Sequence, residues 1–124
     1  MRPVRVLVVD DAVFMRSMIC EILTRTGRFE IVAQASNGLE AVERFQELRP
    51  DLVTMDIVMP EMDGIEATKE LLRLDPHATI VICSALGQES LVIESIAAGA
   101  RDFIVKPFAP DKVLAVLETV LSPA

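Results

Sequence analysis

Residues 5–9, Arg5-Val6-Leu7-Val8-Val9, place four aliphatic side chains in an unbroken run that stops at two acids, Asp10-Asp11. Continuous apolarity over so few residues is the pattern of a strand covered on both faces, as the strands of a parallel sheet are. The same signature returns at Leu52 to Asp56 and at Thr79 to Ser84, with further strand candidates at Glu30 to Ala35 and Asp102 to Val105. A stretch of helical period follows each: Ala12 to Thr26, Gly38 to Leu48, Gly64 to Leu74, Gln88 to Ala98 and Asp111 to Leu121. Five βα units in succession predict an α/β fold, a doubly wound five-stranded parallel sheet flanked by five helices. A closed eight-fold barrel needs about twice this length.

Punctuation supports the division. Gly27 follows the first helix as a stop, Asn37 with Glu40 three residues later reads as an N-cap and its capping partner, and Pro50 and Pro76 close the second and third helices. No linker or repeat interrupts the pattern, so the 124 residues read as one domain, 1–124. A hydrophobic fraction of 52% with 25% charged residues suits a packed core.

No apolar run approaches the roughly 20 residues of a membrane span, and Met1-Arg2-Pro3 leads into the first strand without a signal-peptide pattern, so the cytoplasm is the expected location. Cys20 and Cys83 form no CxxC pair and read as two buried thiols. A net charge of -7 argues against binding to nucleic acid or anionic membrane.

In open α/β sheets ligands bind beyond the carboxyl ends of the strands. There the first strand gives Asp10-Asp11, the third Asp56, the fourth Ser84 and the fifth Lys106-Pro107. Two like charges about 4 Å apart repel by roughly 4 kcal/mol at an effective dielectric of about 20, so three clustered carboxylates call for compensation. Magnesium, which takes carboxylate, water and phosphate oxygens, would supply it, and Lys106 adds a charge able to meet a phosphoryl oxygen. Taken singly, Asp10 or Asp11 is more often a helix N-cap, Ser84 a hydroxyl satisfied by backbone and Lys106 a solvated cation. Asp56 is harder to explain away, since an isolated carboxylate ending an apolar run is costly to bury.

Val8-Val9-Asp10-Asp11, the run Met55-Asp56-Ile57-Val58-Met59-Pro60-Glu61-Met62-Asp63-Gly64, Cys83-Ser84-Ala85 and Lys106-Pro107-Phe108 stand at the spacing of a known family. Over its entire length the chain resembles a response-regulator receiver domain, most closely of the chemotaxis type. The resemblance implies strand order 2-1-3-4-5 and a signalling phosphoacceptor that is not an enzyme in the ordinary sense. Asp56 would take a phosphoryl group from a phosphohistidine on a sensor histidine kinase (CheA-like). Asp10, Asp11, Asp56 and the backbone carbonyl of Val58 would hold magnesium, Asp10 through water; Lys106 would pair with the phosphoryl group and the Ser84 hydroxyl would bond it. The switched surface would engage a flagellar motor switch protein (FliM-like), with the domain a monomer and its phosphate removed by a separate phosphatase.

The resemblance also implies a cis peptide at Lys106-Pro107 and a switching aromatic at Phe103. Enteric relatives carry Tyr there, and core packing on the fifth strand would account for Phe103 equally well. Val58 and Leu86, two residues beyond the acceptor and two beyond the hydroxyl, should flank the water that hydrolyses the phosphate. Both are apolar where enteric relatives carry Asn at the first position, so slow dephosphorylation is expected. Packing against Met59 or the fourth helix is the plainer account. On the last helix Val113, Val116, Leu117 and Val120 face inward, while Leu114 and Leu121 widen that face, either as core or as a docking rim. Met15, Met18, Met55, Met59 and Met62 read as core or loop filler, and His77 as a surface residue.

Two other classes share parts of this pattern. A flavodoxin-like flavin carrier needs a hydroxyl- and glycine-rich loop after the first strand, where Asp10-Asp11-Ala12-Val13-Phe14 would repel phosphate. An aspartate-dependent phosphatase resembles DxDxT, which the adjacent acids do not match. Within the family, the alternative is the receiver portion of a longer regulator such as a chemotaxis methylesterase or a DNA-binding protein.

Overall fold

The computed structural model describes residues 2–122. Five βα units follow one another: β1 Val4–Val9, α1 Val13–Thr24, β2 Phe29–Ala35, α2 Gly38–Leu48, β3 Leu52–Asp56, α3 Gly64–Leu74, β4 Ile80–Ser84, α4 Glu89–Ala97, β5 Asp102–Val105 and α5 Pro110–Leu121. The sheet runs β2-β1-β3-β4-β5 with every neighbouring pair parallel. The predicted architecture and strand order therefore stand.

The apolar run of β1 is continuous because both of its faces are covered. Leu7 and Val9 join Ala41, Phe45, Ile65 and Leu71 under α2 and α3, while Val6 and Val8 join Ile19, Leu23, Val113 and Leu117 under α1 and α5. On α5 the broad-core reading holds: Val113 and Leu117 are buried, and Leu114, Val116, Val120 and Leu121 pack half-buried against the same cluster. Met55 and Met59 are buried, with Met15, Met18 and Met62 packed at the core's edge.

Several details depart from the expectations. Helix α1 ends at Thr24, two residues early, because Thr26 and Gly27 donate to Leu23 and Thr24 in a turn that Gly27 completes at φ +72°. Helix α5 starts one residue early, at Pro110, whose fixed φ suits the first turn. At α2, Asn37 Oδ1 accepts the Glu40 N–H at 2.9 Å as a cap should, but Glu40 reaches back to Ser36, accepting from its N–H and its hydroxyl at 2.6 Å each. Cys83 is buried as expected, whereas Cys20 is only half-buried. Phe103 is 40% exposed and is no core residue.

Candidate functional site

Strands β1 and β3 are neighbours in register, Val9 beside Met55, so the acids that follow them come side by side. Oxygens of Asp10, Asp11 and Asp56 all lie within 4.8 Å of one another, with Asp10 and Asp56 buried and Asp11 exposed. Lys106, just beyond β5, reaches across the end of β4; its Nζ lies 2.7 Å from Asp10 Oδ2 and 3.3 Å from Asp56 Oδ1. Its own N–H donates to the Ser84 carbonyl at 2.7 Å, and the Lys106–Pro107 peptide is cis as the resemblance implies.

Asp10 is fixed at every polar atom. Its N–H donates to the Ala35 carbonyl at 3.1 Å, Oδ1 accepts from the Ala12 N–H at 2.9 Å, Oδ2 takes Lys106, and its carbonyl accepts from Arg16 Nη1 at 2.6 Å. Neither Asp10 nor Asp11 is the N-cap of α1, which is Ala12.

Burial pushes the Asp56 carboxyl up to about 6, helped by the Asp10 charge and opposed by the Lys106 ammonium. Burial alone would lower Lys106, but its bond to Asp10 and the two carboxylate charges outweigh that and hold it above its ordinary value. The Cys83 thiol, register partner of Asp56, is pushed up to about 12 by burial, which makes it an inert wall. Three carboxylates against one lysine leave two negative charges uncompensated. Closely spaced hard oxygen donors of that charge fit magnesium, whose preferred ligands are carboxylates, waters and phosphate oxygens.

The loop between β3 and α3 is pinned at both ends. The Gly64 N–H donates to the Ile57 carbonyl at 2.7 Å and the Gly38 N–H to the Met62 carbonyl at 2.9 Å. A Cβ on Gly64 would stand 2.0 Å from the Asp56 carbonyl oxygen, and one on Gly38 would stand 2.4 Å from that of Met62. Both glycines thus let the loop that carries Val58 close onto the site. Sequence reasoning missed this role, although glycine as the first residue of two successive helices, where it is a poor helix former, was a visible signal.

Ser84 is buried at the end of β4 and lines a cavity of about 250 Å³ with Leu86, Ile93, Phe103 and Val105. Phe103 therefore lies on the Ser84 side of β4, outside the acid cluster. Val58 and Leu86 are 55% and 80% exposed, so neither is packed away against Met59 or α4. His77 is exposed in the α3–β4 turn, its N–H bonded to Asp75. Among the described residues no helix is long and apolar enough to cross a membrane.

The response regulator receiver domain family matches residues 6–118. The chemotaxis protein CheY of Thermotoga maritima is 58% identical over 116 residues, covering 94% of this chain and 96% of that one. A crystal structure of the CheX–CheY–BeF3–Mg+2 complex from Borrelia burgdorferi superposes with a TM-score of 0.92 at 39% identity, covering 98% of this chain and 92% of that one. The protein-glutamate methylesterase/protein-glutamine glutaminase of Bacillus licheniformis is 43% identical over 105 residues, 84% of this chain but only 29% of that protein.

Proposed function

The chain belongs to the response regulator receiver domain family, with chemotaxis proteins among its similar relatives, and from that premise we propose that Asp56 is its phosphoacceptor. An Asp56 oxygen attacks the phosphorus of a phosphohistidine on a histidine kinase; the P–N bond breaks, its electron pair returns to the imidazole, and an acyl phosphate forms. Asp10, Asp11, Asp56 and the Val58 carbonyl would hold magnesium, which would supply positive charge to the phosphoryl oxygens. Lys106, already 3.3 Å from Asp56, pairs with another of those oxygens, and the Ser84 hydroxyl turns to a third. Such transfer needs little beyond in-line positioning and charge neutralisation, so the domain assists its own phosphorylation without being an enzyme in the ordinary sense.

The observation that carries this reading is the convergence of three carboxylates with Lys106 on two of them, at the end of a chain-long match to receivers. The chemotaxis relative supports a switch of the chemotaxis type, and a cytoplasmic location, action on the flagellar motor and resetting by a separate phosphatase belong to the same proposal. The methylesterase relative supports the second reading, in which the same receiver regulates a longer protein. Incubation with acetyl phosphate and magnesium tests the acceptor. One phosphoryl mass should appear on Asp56 and be lost completely in Asp56→Asn; a mass gain that persists in that variant overturns the assignment.

A further inference from the structure

We infer that Arg16 is a positioning residue for the metal site, fixing the peptide between Asp10 and Asp11 and thereby aiming the Asp11 carboxylate at the cluster. The inference rests on the reading that the three acids hold magnesium.

Lys106 pairs with Asp10 and Asp56 and leaves Asp11 out. Asp11 is exposed and its carboxylate lies close to that of Asp56, so the backbone that carries it sets the point from which that carboxylate reaches the cluster. That backbone is the Asp10–Asp11 peptide, whose carbonyl oxygen accepts from Arg16 Nη1 at 2.6 Å. The guanidinium is itself oriented from β2, where Gln34 Oε1 accepts from its Nε at 3.3 Å. A planar guanidinium presents its donors in a rigid fork and so holds two acceptors in a fixed relation, whereas the three donors of an ammonium rotate.

The position is electrostatically poor for a cation. Arg16 stands in the first turn of α1, where the helix dipole disfavours positive charge, and beside a site that would hold a divalent ion. Glu40, near enough for the Arg16 charge to help lower its carboxyl after the Ser36 hydrogen bonds, offsets part of that cost. The geometric contact with the ligand-bearing peptide explains what the charge does not.

The two roles predict opposite signs. Removing a cation beside the cluster would tighten magnesium binding if Arg16 acted only as a charge. Removing the hydrogen bond that orients a ligand weakens metal binding, commonly by about tenfold or more. Calorimetric titration of the full chain with magnesium chloride separates them, with folding checked by circular dichroism. Arg16→Met should bind about tenfold more weakly than wild type, and Arg16→Lys should recover part of the loss. Gln34→Leu, at an exposed position and without a charge change, should weaken binding less and add nothing when combined with Arg16→Met. It also tests the inference if Arg16→Met does not fold. Wild-type affinity or tighter in both Arg16→Met and Gln34→Leu overturns the positioning role; a wild type that takes up no magnesium overturns the metal reading beneath it.

Discussion

Helices α2 and α3 each start on a side chain that caps them, Asn37 accepting from the Glu40 N–H and Asp63 from the Glu66 N–H, and each buries several residues against the sheet. Helix α4 starts after Gln88 with no side-chain cap and buries only Ser95. The loop before α3 is pinned through Gly38 and Gly64, whereas the loop before α4 leaves Leu86 80% exposed, with Ile93 70% exposed one turn into the helix. The acids therefore sit on the stiffly held side of the molecule, and Ser84 and Phe103 border the loosely held side. Free energies of local opening differ within one fold according to such contacts. A domain that holds the proposed phosphoacceptor site firmly at one strand end and leaves the neighbouring helix less tightly packed is built to couple the two.

Substitution at two glycines breaks or sharpens this contrast most directly. Gly64→Ala puts a Cβ 2.0 Å from the Asp56 carbonyl oxygen, so the loop must shift; a loss of about 2–4 kcal/mol is expected, together with weaker magnesium binding. Gly87→Ala meets no atom within 4 Å and bears only the strain of φ +88°, about 1 kcal/mol. Urea unfolding of both variants measures the difference. Equal losses would mean that the two loops are held alike.

Charge on the stiff side makes the next largest effect. The folded carboxyl of Asp56 titrates near 6 against 3.8 in its unperturbed state, so between those values the folded protein binds a proton that the unfolded chain does not. Stability from this group is thus present at low pH and lost as pH rises through 6, a penalty of about 3 kcal/mol at neutral pH without metal. Asp56→Asn should accordingly be more stable than wild type at pH 7 in EDTA, and the advantage should shrink toward pH 4. Lys106 keeps its 2.7 Å partner Asp10 in the variant, so no buried ammonium is orphaned. Thermal unfolding at both pH values checks this, and an advantage independent of pH would trace the relief to another cause.

The same division sets what the sequence discloses. Short, two-sided apolar runs made β1, β3 and β4 legible, and adjacency in the sheet carried Asp10, Asp11 and Asp56 to one place. Lys106 was legible as a charge at a strand end, but not its reach across β4 to Asp10, because side-chain direction has no period. Gly64 was hidden for a related reason: its function is the absence of a Cβ against a backbone oxygen that only the folded loop brings near. Phe103 was read two ways, as a switching aromatic or as core packing, and its 40% exposure removes the second. An aromatic on a strand resembles core, yet β5 is an edge of the sheet, and only Ile104 of its four residues is buried.

Hydrolysis of the acyl phosphate probes the boundary between the two sides. Val58, on the pinned loop, and Leu86, on the free one, are exposed apolar residues that cannot hydrogen-bond an attacking water. Placing such a water can alter rates by orders of magnitude. Val58→Asn and Leu86→Glu are each expected to shorten the lifetime of the phosphorylated protein several-fold in magnesium. Phosphate release followed over time decides; identical half-lives in wild type and both variants would exclude control by these side chains.

The smallest effect tests α4 itself. Gln88 uses its side chain on the loop, accepting the Ala85 N–H at 2.8 Å, and leaves the first turn of α4 without a side-chain acceptor. Asp at this position would offer that turn both an acceptor and a negative charge at the helix N-terminus, together worth about 1 kcal/mol before the lost Ala85 bond is subtracted. Amide hydrogen exchange on the wild type should show α4 opening more easily than α2 and α3, and Gln88→Asp should slow exchange in α4 by a few-fold while leaving α3 unchanged. Because the same substitution stabilises the helix without touching the acids, magnesium affinity should not move. Equal protection of α3 and α4 in the wild type would remove the contrast, and a change in magnesium affinity in Gln88→Asp would show that the loop before α4 reaches the acid cluster after all.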